Sequence, residues 1–289
     1  MRLARVGAAG AERPCAMVGD AEFVDLSDVV TDFDGEFFAS GRLAELPEIV
    51  SARQDEGRVT RLDGRRIGAP IARPHQVIGI GLNYVDHAVE SGMAVPSRPV
   101  VFTKAPNSMV GPYDDIVMPG HAVELDYEVE LGAVIGRPTY QLTSPEEALS
   151  AVAGYMVVND VSERAWQLDG GQWAKGKSAP TFFPCGPYLA TADEVPDPSQ
   201  LALWLTVNGE TRQSAKTADM VFGVGDLVHH LSQYMALEPG DVIATGTPSG
   251  VALGMTPPGW LSVGDVVSLG VDGLGRQESR VVAGAESAR

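Results

Sequence analysis

Cysteine is scarce in this chain, with two in 289 residues, Cys15 and Cys185. They lie far apart and form no CxxC or zinc-like spacing, which excludes a disulfide framework or a thiolate metal site as the organising device. A reducing cytoplasm is the expected compartment. Long apolar runs are lacking as well, since no stretch approaches the roughly 18 uninterrupted apolar residues that a membrane helix needs. The start, MRLARVGAAGAERPCAMVGD, is broken by Gly and Glu before a signal-peptide core can form. The protein is expected to be soluble. Positive charge is in deficit, 21 Lys and Arg against 38 Asp and Glu, a formal charge of −17. That balance repels nucleic acid and anionic membranes, and neither is expected as a partner.

What is present is a β-rich chain punctuated by Gly and Pro. Residues 1–72 alternate short apolar runs with acidic turns, include one amphipathic helix near Leu43 to Val50, and end in a charged, Gly/Pro-rich connection. They read as a small N-terminal α+β domain. From residue 73 to 284 the runs VIGIG, VVFTK, EVELGAVIG, GYMVVND, LALWLTVNG, DVIATG and DVVSLGV read as strands. Two helical intervals interrupt them, SPEEALSAVAGY, where Ser144 caps and Pro145 fills the first turn, and FGVGDLVHHLSQYM. The fold class is α+β, mainly β.

The most informative segment is Glu124-Leu-Asp126-Tyr-Glu128-Val-Glu130, running into the apolar GAVIG. Successive side chains of a strand point to opposite faces, so Glu124, Asp126, Glu128 and Glu130 share one. A solvated strand would explain such alternation, but this one dives into an apolar run. Buried carboxylates that converge repel unless they are protonated or bind a cation. Asp160, at the end of GYMVVND, supplies a third ligand. All donors are oxygen, which suits Mg²⁺ or Mn²⁺ better than zinc.

In GLNYVDHAVESG, His87 and Glu90 stand three apart and meet on one helix face, a usable general base once the carboxylate orients the imidazole. The glycines of GIGLNY do not make a dinucleotide loop, because Tyr84 stands where the third glycine would be. The pair His229 and His230 cannot point the same way on a helix and is assigned to no metal. Thr245-Gly246-Thr247-Pro-Ser-Gly has the flexible backbone and hydroxyls of an anion-holding turn. Lys177 lies in a Gly/Pro loop that could set it in a pocket.

In order, GLNYVDHAVESG, PVVFTKAPNSMVGP, DYEVELGAVIG, GYMVVNDVSER, WAKGKSAPTFFPCGPYL, LTVNGETRQ, MVFGVGDLV and DVIATGTPSGV resemble the fumarylacetoacetate hydrolase family, from about Val77 to Gly275. The resemblance implies a mixed β-roll or distorted β-barrel and a homodimer. It also implies one divalent ion, Mg²⁺ or Mn²⁺, held by Glu128, Glu130 and Asp160. The family's dyad falls on His87 and Glu90, its lysine on Lys177, and its substrate-contacting turn on Thr245, Gly246 and Thr247; Tyr84, Arg164 and Gln213 are further substrate contacts. One departure is Pro180 before Thr181 and Phe182, where many relatives carry an aspartate.

The activity so implied is hydrolysis of a carbon–carbon bond in a 2,4-dioxo acid, an acylpyruvate or a 2,4-dioxo-3-deoxy sugar acid, with the sugar-acid class ranked first. Oxaloacetate decarboxylation and keto–enol isomerisation or dehydration would use the same metal enolate, and the dyad favours hydrolysis because decarboxylation needs no activated water. A non-enzymatic ligand-binding scaffold is the reading from a different class. The intact set of ligands and dyad argues against it.

Overall fold

Two large β-sheets carry most of the chain, and the apolar runs at the centre of the larger one become strands buried on both faces. The computed structural model describes residues 1–284 and is mixed α+β, mainly β. At the centre of the larger, eleven-stranded sheet the antiparallel pair Val129–Ile135 and Val152–Asn159 is flanked by Val242–Ala244 on one side and Leu189–Thr191 on the other. Beyond Val242–Ala244 the sheet continues through Val77–Gly81 to an edge at Val100–Lys104. The second sheet holds five strands, with Ala202–Val207 and Val266–Val271 at its middle.

Alternation along the central strands sorts their side chains into two cores. Val129, Leu131, Ala133 and Ile135 pack with Leu205, Leu269 and the helix residues Leu227 and Leu231. Val134, Met156 and Val158, on the opposite face, pack with Leu3, Val24, Phe33 and Phe37 of the N-terminal segment. Every residue of both central strands is buried. Continuous apolar runs are what a strand covered on both faces requires.

The first 72 residues supply that second cover and also extend the sheet. Arg2–Val6 pairs with Leu189–Thr191, with Leu3 opposite Leu189, and the strands Arg13–Met17, Glu22–Asp25 and Thr60–Arg61 follow outward. The helix expected near Leu43 to Val50 is a 3-10 turn, Arg42–Glu45, leading into Leu46–Asp55 with Pro47 in the first turn. The interval SPEEALSAVAGY is helical only over Pro145–Leu149, capped by Ser144 as expected. From Val152 it is strand, because β-branched valines and a sheet neighbour on each side outweigh the alanines' helix preference. The later helix covers Val224–Ser232.

Candidate active site

One strand register sets the site. Val129 faces Asn159 and Glu130 faces Val158, and the amide of Asp160 donates to the carbonyl of Glu128 at 2.9 Å. Glu128 and Asp160 therefore stand opposite each other, with Glu130 two residues further along the same face. Carboxylate oxygens of the three lie within 4.8 Å of one another, and all three side chains are buried.

The strand expected to run unbroken from Glu124 is interrupted at Tyr127 and Glu128. Side chains take the backbone amides there: Asp126 Oδ1 accepts from Tyr127, Asn159 Oδ1 from Glu128 and Gln213 Oε1 from Val129, at 2.8, 3.0 and 3.0 Å. These local bonds compete with the ladder and bend the chain. The acidic face survives the break, with Asp126, Glu128 and Glu130 buried and Glu124 half-buried.

Three buried cations answer the carboxylates. Lys177 Nζ donates to Glu128 at 2.6 Å and to Asp160 at 2.8 Å, and Lys104 Nζ donates to Asp160 at 2.5 Å. Arg164 spans Asp126 at 2.8 Å and Glu128 at 2.6 Å, with its third nitrogen on Gln167. Burial works to raise the Glu128 carboxyl, but Lys177 and Arg164 outweigh it and hold the group well below the carboxylate range. Glu130 goes the other way, pushed well up by burial and then by Asp160 and Glu128. Its one hydrogen-bond partner among the described residues is the amide of Gly246, at 2.7 Å.

This imbalance tests the fit of a divalent cation. Glu130 is a carboxyl group beside two others with no side-chain cation bonded to it among the described residues, and an oxygen-seeking dication is the group that such a set accommodates. Glu128, Glu130 and Asp160 would hold it. Nitrogen and sulfur donors are absent from the set, so the hard ions Mg²⁺ and Mn²⁺ suit it.

The cleft beside the triad is lined by His87, Glu128, Glu130, Arg164, Lys177 and Thr247 among others. His87, on the helix Val85–Glu90, places Nδ1 2.9 Å from Glu90 Oε1. With Nδ1–H donating to Glu90, Nε2 is left to accept a proton. The Gly250 amide also donates to that carboxylate and fixes its position.

Several expected contacts stand behind the cleft wall. The Gln213 amide is spent on Val129, Thr247 and Pro248, and Thr245 Oγ1 donates to the carbonyl of Leu131 at 2.9 Å. Thr247 reaches the cleft, but its hydroxyl donates to the carbonyl of Val129. These groups hold the ligand strand in place. Tyr84 is buried, and its hydroxyl has no hydrogen-bond partner among the described residues. Pro180 is exposed and lines no part of the cleft.

Sequence reasoning missed Lys104, Gln167 and an aromatic wall. Phe102 and Trp173 pack at 5.6 Å between ring centroids, and Lys177 Nζ lies 5.0 Å over the Phe102 ring. A Cβ on Gly79 would fall 2.2 Å from Phe102, and one on Gly81 would fall 2.3 Å from Trp173. The two glycines of GIG, two apart on one strand face, are the seats of these rings. A Lys or Phe in a strand carries no signal of what it will meet, so only that glycine spacing could have pointed to the wall.

Known proteins resemble this chain over nearly its whole length. The family model for the fumarylacetoacetate (FAA) hydrolase C-terminal region matches residues 76–282. A Burkholderia multivorans protein named "Putative hydrolase" is 49% identical over 280 residues, 96% of this chain and 97% of that protein. Three similar solved structures cover nearly all of both chains. A fumarylacetoacetate hydrolase from Exiguobacterium antarcticum is 37% identical with a TM-score of 0.83, over 98% of this chain and 100% of that one. A 5-carboxymethyl-2-hydroxymuconate delta-isomerase from Mycobacterium smegmatis is 33% identical with a TM-score of 0.78, over 99% and 100%. A maleylpyruvate hydrolase from Sphingobium sp. SYK-6, solved with manganese (II) and pyruvate, is 30% identical with a TM-score of 0.80, over 98% and 100%.

Proposed function

This chain belongs to the fumarylacetoacetate hydrolase family, and on that premise we propose that it hydrolyses a carbon–carbon bond of a 2,4-dioxo acid, releasing pyruvate or a substituted pyruvate and a second acid. The observation that carries the reading is the convergence on one cleft of three buried carboxylates and a histidine already oriented by a glutamate. A divalent ion, Mg²⁺ or Mn²⁺, held by Glu128, Glu130 and Asp160 would supply Lewis acidity at the substrate's carboxylate and 2-oxo oxygens.

The chain's own groups supply the rest. His87 Nε2 takes a proton from water while Glu90 stabilises the imidazolium through Nδ1, and the hydroxide so formed adds to C4. The C3–C4 bond then breaks, its electron pair passing into the enolate of pyruvate beside the Lys177 ammonium. The proton on His87 returns to C3. Water is consumed, one acid is released from C4 and pyruvate from the remainder. Phe102 and Trp173 close one side of the cleft and keep bulk water from the enolate. Arg164 and Gln167 fix Glu128 in place.

A second reading, enolate chemistry without hydrolysis, is favoured by the likeness to an isomerase structure. It leaves the His87–Glu90 dyad without an acid–base task on water, which ranks it second. The enzyme is proposed to work as a cytoplasmic homodimer; no helix among the described residues is long and apolar enough to cross a membrane. The test is a panel of 2,4-dioxo acids and oxaloacetate, with and without Mg²⁺ or Mn²⁺, followed by pyruvate release and product identification. Metal-dependent cleavage of a 2,4-dioxo acid into two acids is the expected result. Rearranged or decarboxylated products alone would overturn it.

A further inference from the structure

The proposed reaction fixes one end of the substrate and leaves the acyl group on C4 undefined. Polarity in the cleft is strongly graded. At its floor the charged groups are buried, and both cations there, Arg164 and Lys177, are already bonded to Glu128 at 2.6 Å. Toward solvent the lining changes character: Leu82, Phe102, Trp173 and Leu253 are partly exposed, while Met93 and Leu168 are 37% and 48% exposed. No Lys or Arg lines this outer part.

From this gradient we infer that the outer cleft is an apolar acyl subsite, with Trp173 as its specificity-determining wall, and that the substrates are acylpyruvates bearing an alkyl or aryl group. The inference rests on the hydrolase reading. A second carboxylate on the acyl end would meet no Lys or Arg there and would give up part of its hydration to apolar surface, which disfavours it. A polyhydroxylated sugar tail would meet mostly leucine, methionine and ring surface, with Ser91 and Gln167 the polar side chains nearest to it. The wall is a built feature, because Gly79 and Gly81 lack the Cβ atoms that would displace the Phe102 and Trp173 rings. Lys177, seated over Phe102 at 5.0 Å, keeps that ring tied to the reacting end. Trp173 is the ring left to meet the tail.

Two measurements test the subsite. Pyruvate release is followed with 2,4-dioxopentanoate, 2,4-dioxooctanoate and 4-phenyl-2,4-dioxobutanoate, and with 2,4-dioxoheptanedioate as the carboxylate-tailed analogue. Expected is a rise in kcat/KM of about 4-fold per added methylene, with the dioate at least about 10-fold poorer than the octanoate. Trp173→Ala should collapse the ratio of long-tail to short-tail kcat/KM by about 10-fold or more, and Trp173→Phe should restore most of it. An unchanged ratio in Trp173→Ala, or a preferred dioate, overturns the subsite. The second measurement needs no turnover: calorimetric titration, with Mn²⁺ present, of 4-phenyl-2-oxobutanoate against 2-oxoglutarate. The phenyl acid should bind at least about 10-fold tighter. Equal or tighter binding of 2-oxoglutarate overturns the subsite even if no dioxo acid is cleaved, whereas tighter binding of the phenyl acid without cleavage supports the subsite and sinks only the hydrolase reading.

Discussion

The backbone amide of Gly250 donates to both carboxylate oxygens of Glu90, at 3.1 and 2.9 Å. Gly250 holds a φ of +103°, and a Cβ there would fall 1.9 Å from the carbonyl oxygen of Arg212. No other residue could present its amide in this way. The turn after Thr247 thus grips the far end of a dyad that begins on a distant helix. Glu90 is held from one side by Gly250 and faces His87 on the other, so the imidazole has a fixed orientation before any substrate arrives.

His87→Ala and Glu90→Ala should each slow hydrolysis by roughly 10²–10⁴-fold, the usual worth of general-base help. Mn²⁺ affinity should be unchanged, since neither residue belongs to the carboxylate triad. Stopped-time pyruvate assays and Mn²⁺ titration check both halves. Parent rates in both variants would remove the dyad from the mechanism.

The three ligand carboxylates should separate when stability and metal binding are measured together. Among the described residues Glu130 bonds only to an amide, and it sits among like charges, so Glu130→Gln should abolish Mn²⁺ binding yet leave the metal-free melting temperature unchanged or raised. Asp160 is the partner of both Lys104 and Lys177. Asp160→Asn strands charge in the interior and should cost about 3–5 kcal/mol of stability, as the loss of one member of a buried pair does. Calorimetry on metal-free protein decides. Similar melting temperatures for the two variants would contradict the charge arrangement.

Much of this site was legible because its parts are local. The two-residue spacing of Glu128 and Glu130 and the three-residue spacing of His87 and Glu90 follow from strand and helix geometry alone. Asp160 was reachable from the apolar strand that ends at it. Lys104 was not, because its meeting with Asp160 depends on a strand at the sheet's edge folding back, 56 residues away. Gln213 and Thr245 show the opposite difficulty. A polar residue beside a site can face the substrate or hold the backbone, and only the hydrogen bonds to Val129 and Leu131 tell which. The N-terminal segment reads from its sequence as a small α+β unit, and its strands join the large sheet through Leu3 opposite Leu189, a pairing the sequence does not show because strand register between distant segments leaves no periodic trace.

Both thiols should be silent in the native protein. Burial, reinforced by Asp25, pushes Cys15 up to about 12, and burial also pushes Cys185 up. At pH 8 each is therefore a neutral thiol, and the reactive thiolate forms only at far higher pH. Titration with a disulfide reagent at pH 8 should find no fast-reacting thiol in the folded protein and two after denaturation. One rapid equivalent in the native state would place a cysteine at the surface.

A two-fold dimer should form in solution. The sheet ends at Val100–Lys104, whose outer edge pairs with nothing among the described residues, and Val101 is 37% exposed. Uncovered edges invite pairing and are normally protected. Light scattering at micromolar concentration should give twice the 30.5 kDa chain mass. A mass equal to one chain would remove the dimer.

The segment that follows the dyad should close over bound substrate, hinging where its anchoring bonds end. Up to Glu90 the chain is anchored: Asn83 bonds to Phe222 and Thr245, His87 is buried, and Glu90 is gripped by Gly250. Beyond Met93 that support ends, because the amides of Ala94, Val95 and Ser97 have no acceptor among the described residues. Met93 lines the cleft while Val95 is 43% exposed, so inward movement would bury apolar surface against the substrate. Segments with exposed backbone and few contacts open at low cost and serve as lids. Hydrogen exchange should therefore find residues 94–97 fast in the metal-free protein and slowed once Mn²⁺ and oxalate are added. Residues 85–90 should be protected in both states, since their bonds precede the ligand. If 94–97 exchange equally fast with and without ligand, the segment has no part in closure. If 85–90 also gain strong protection, the hinge lies before the dyad, and His87 is assembled by the substrate.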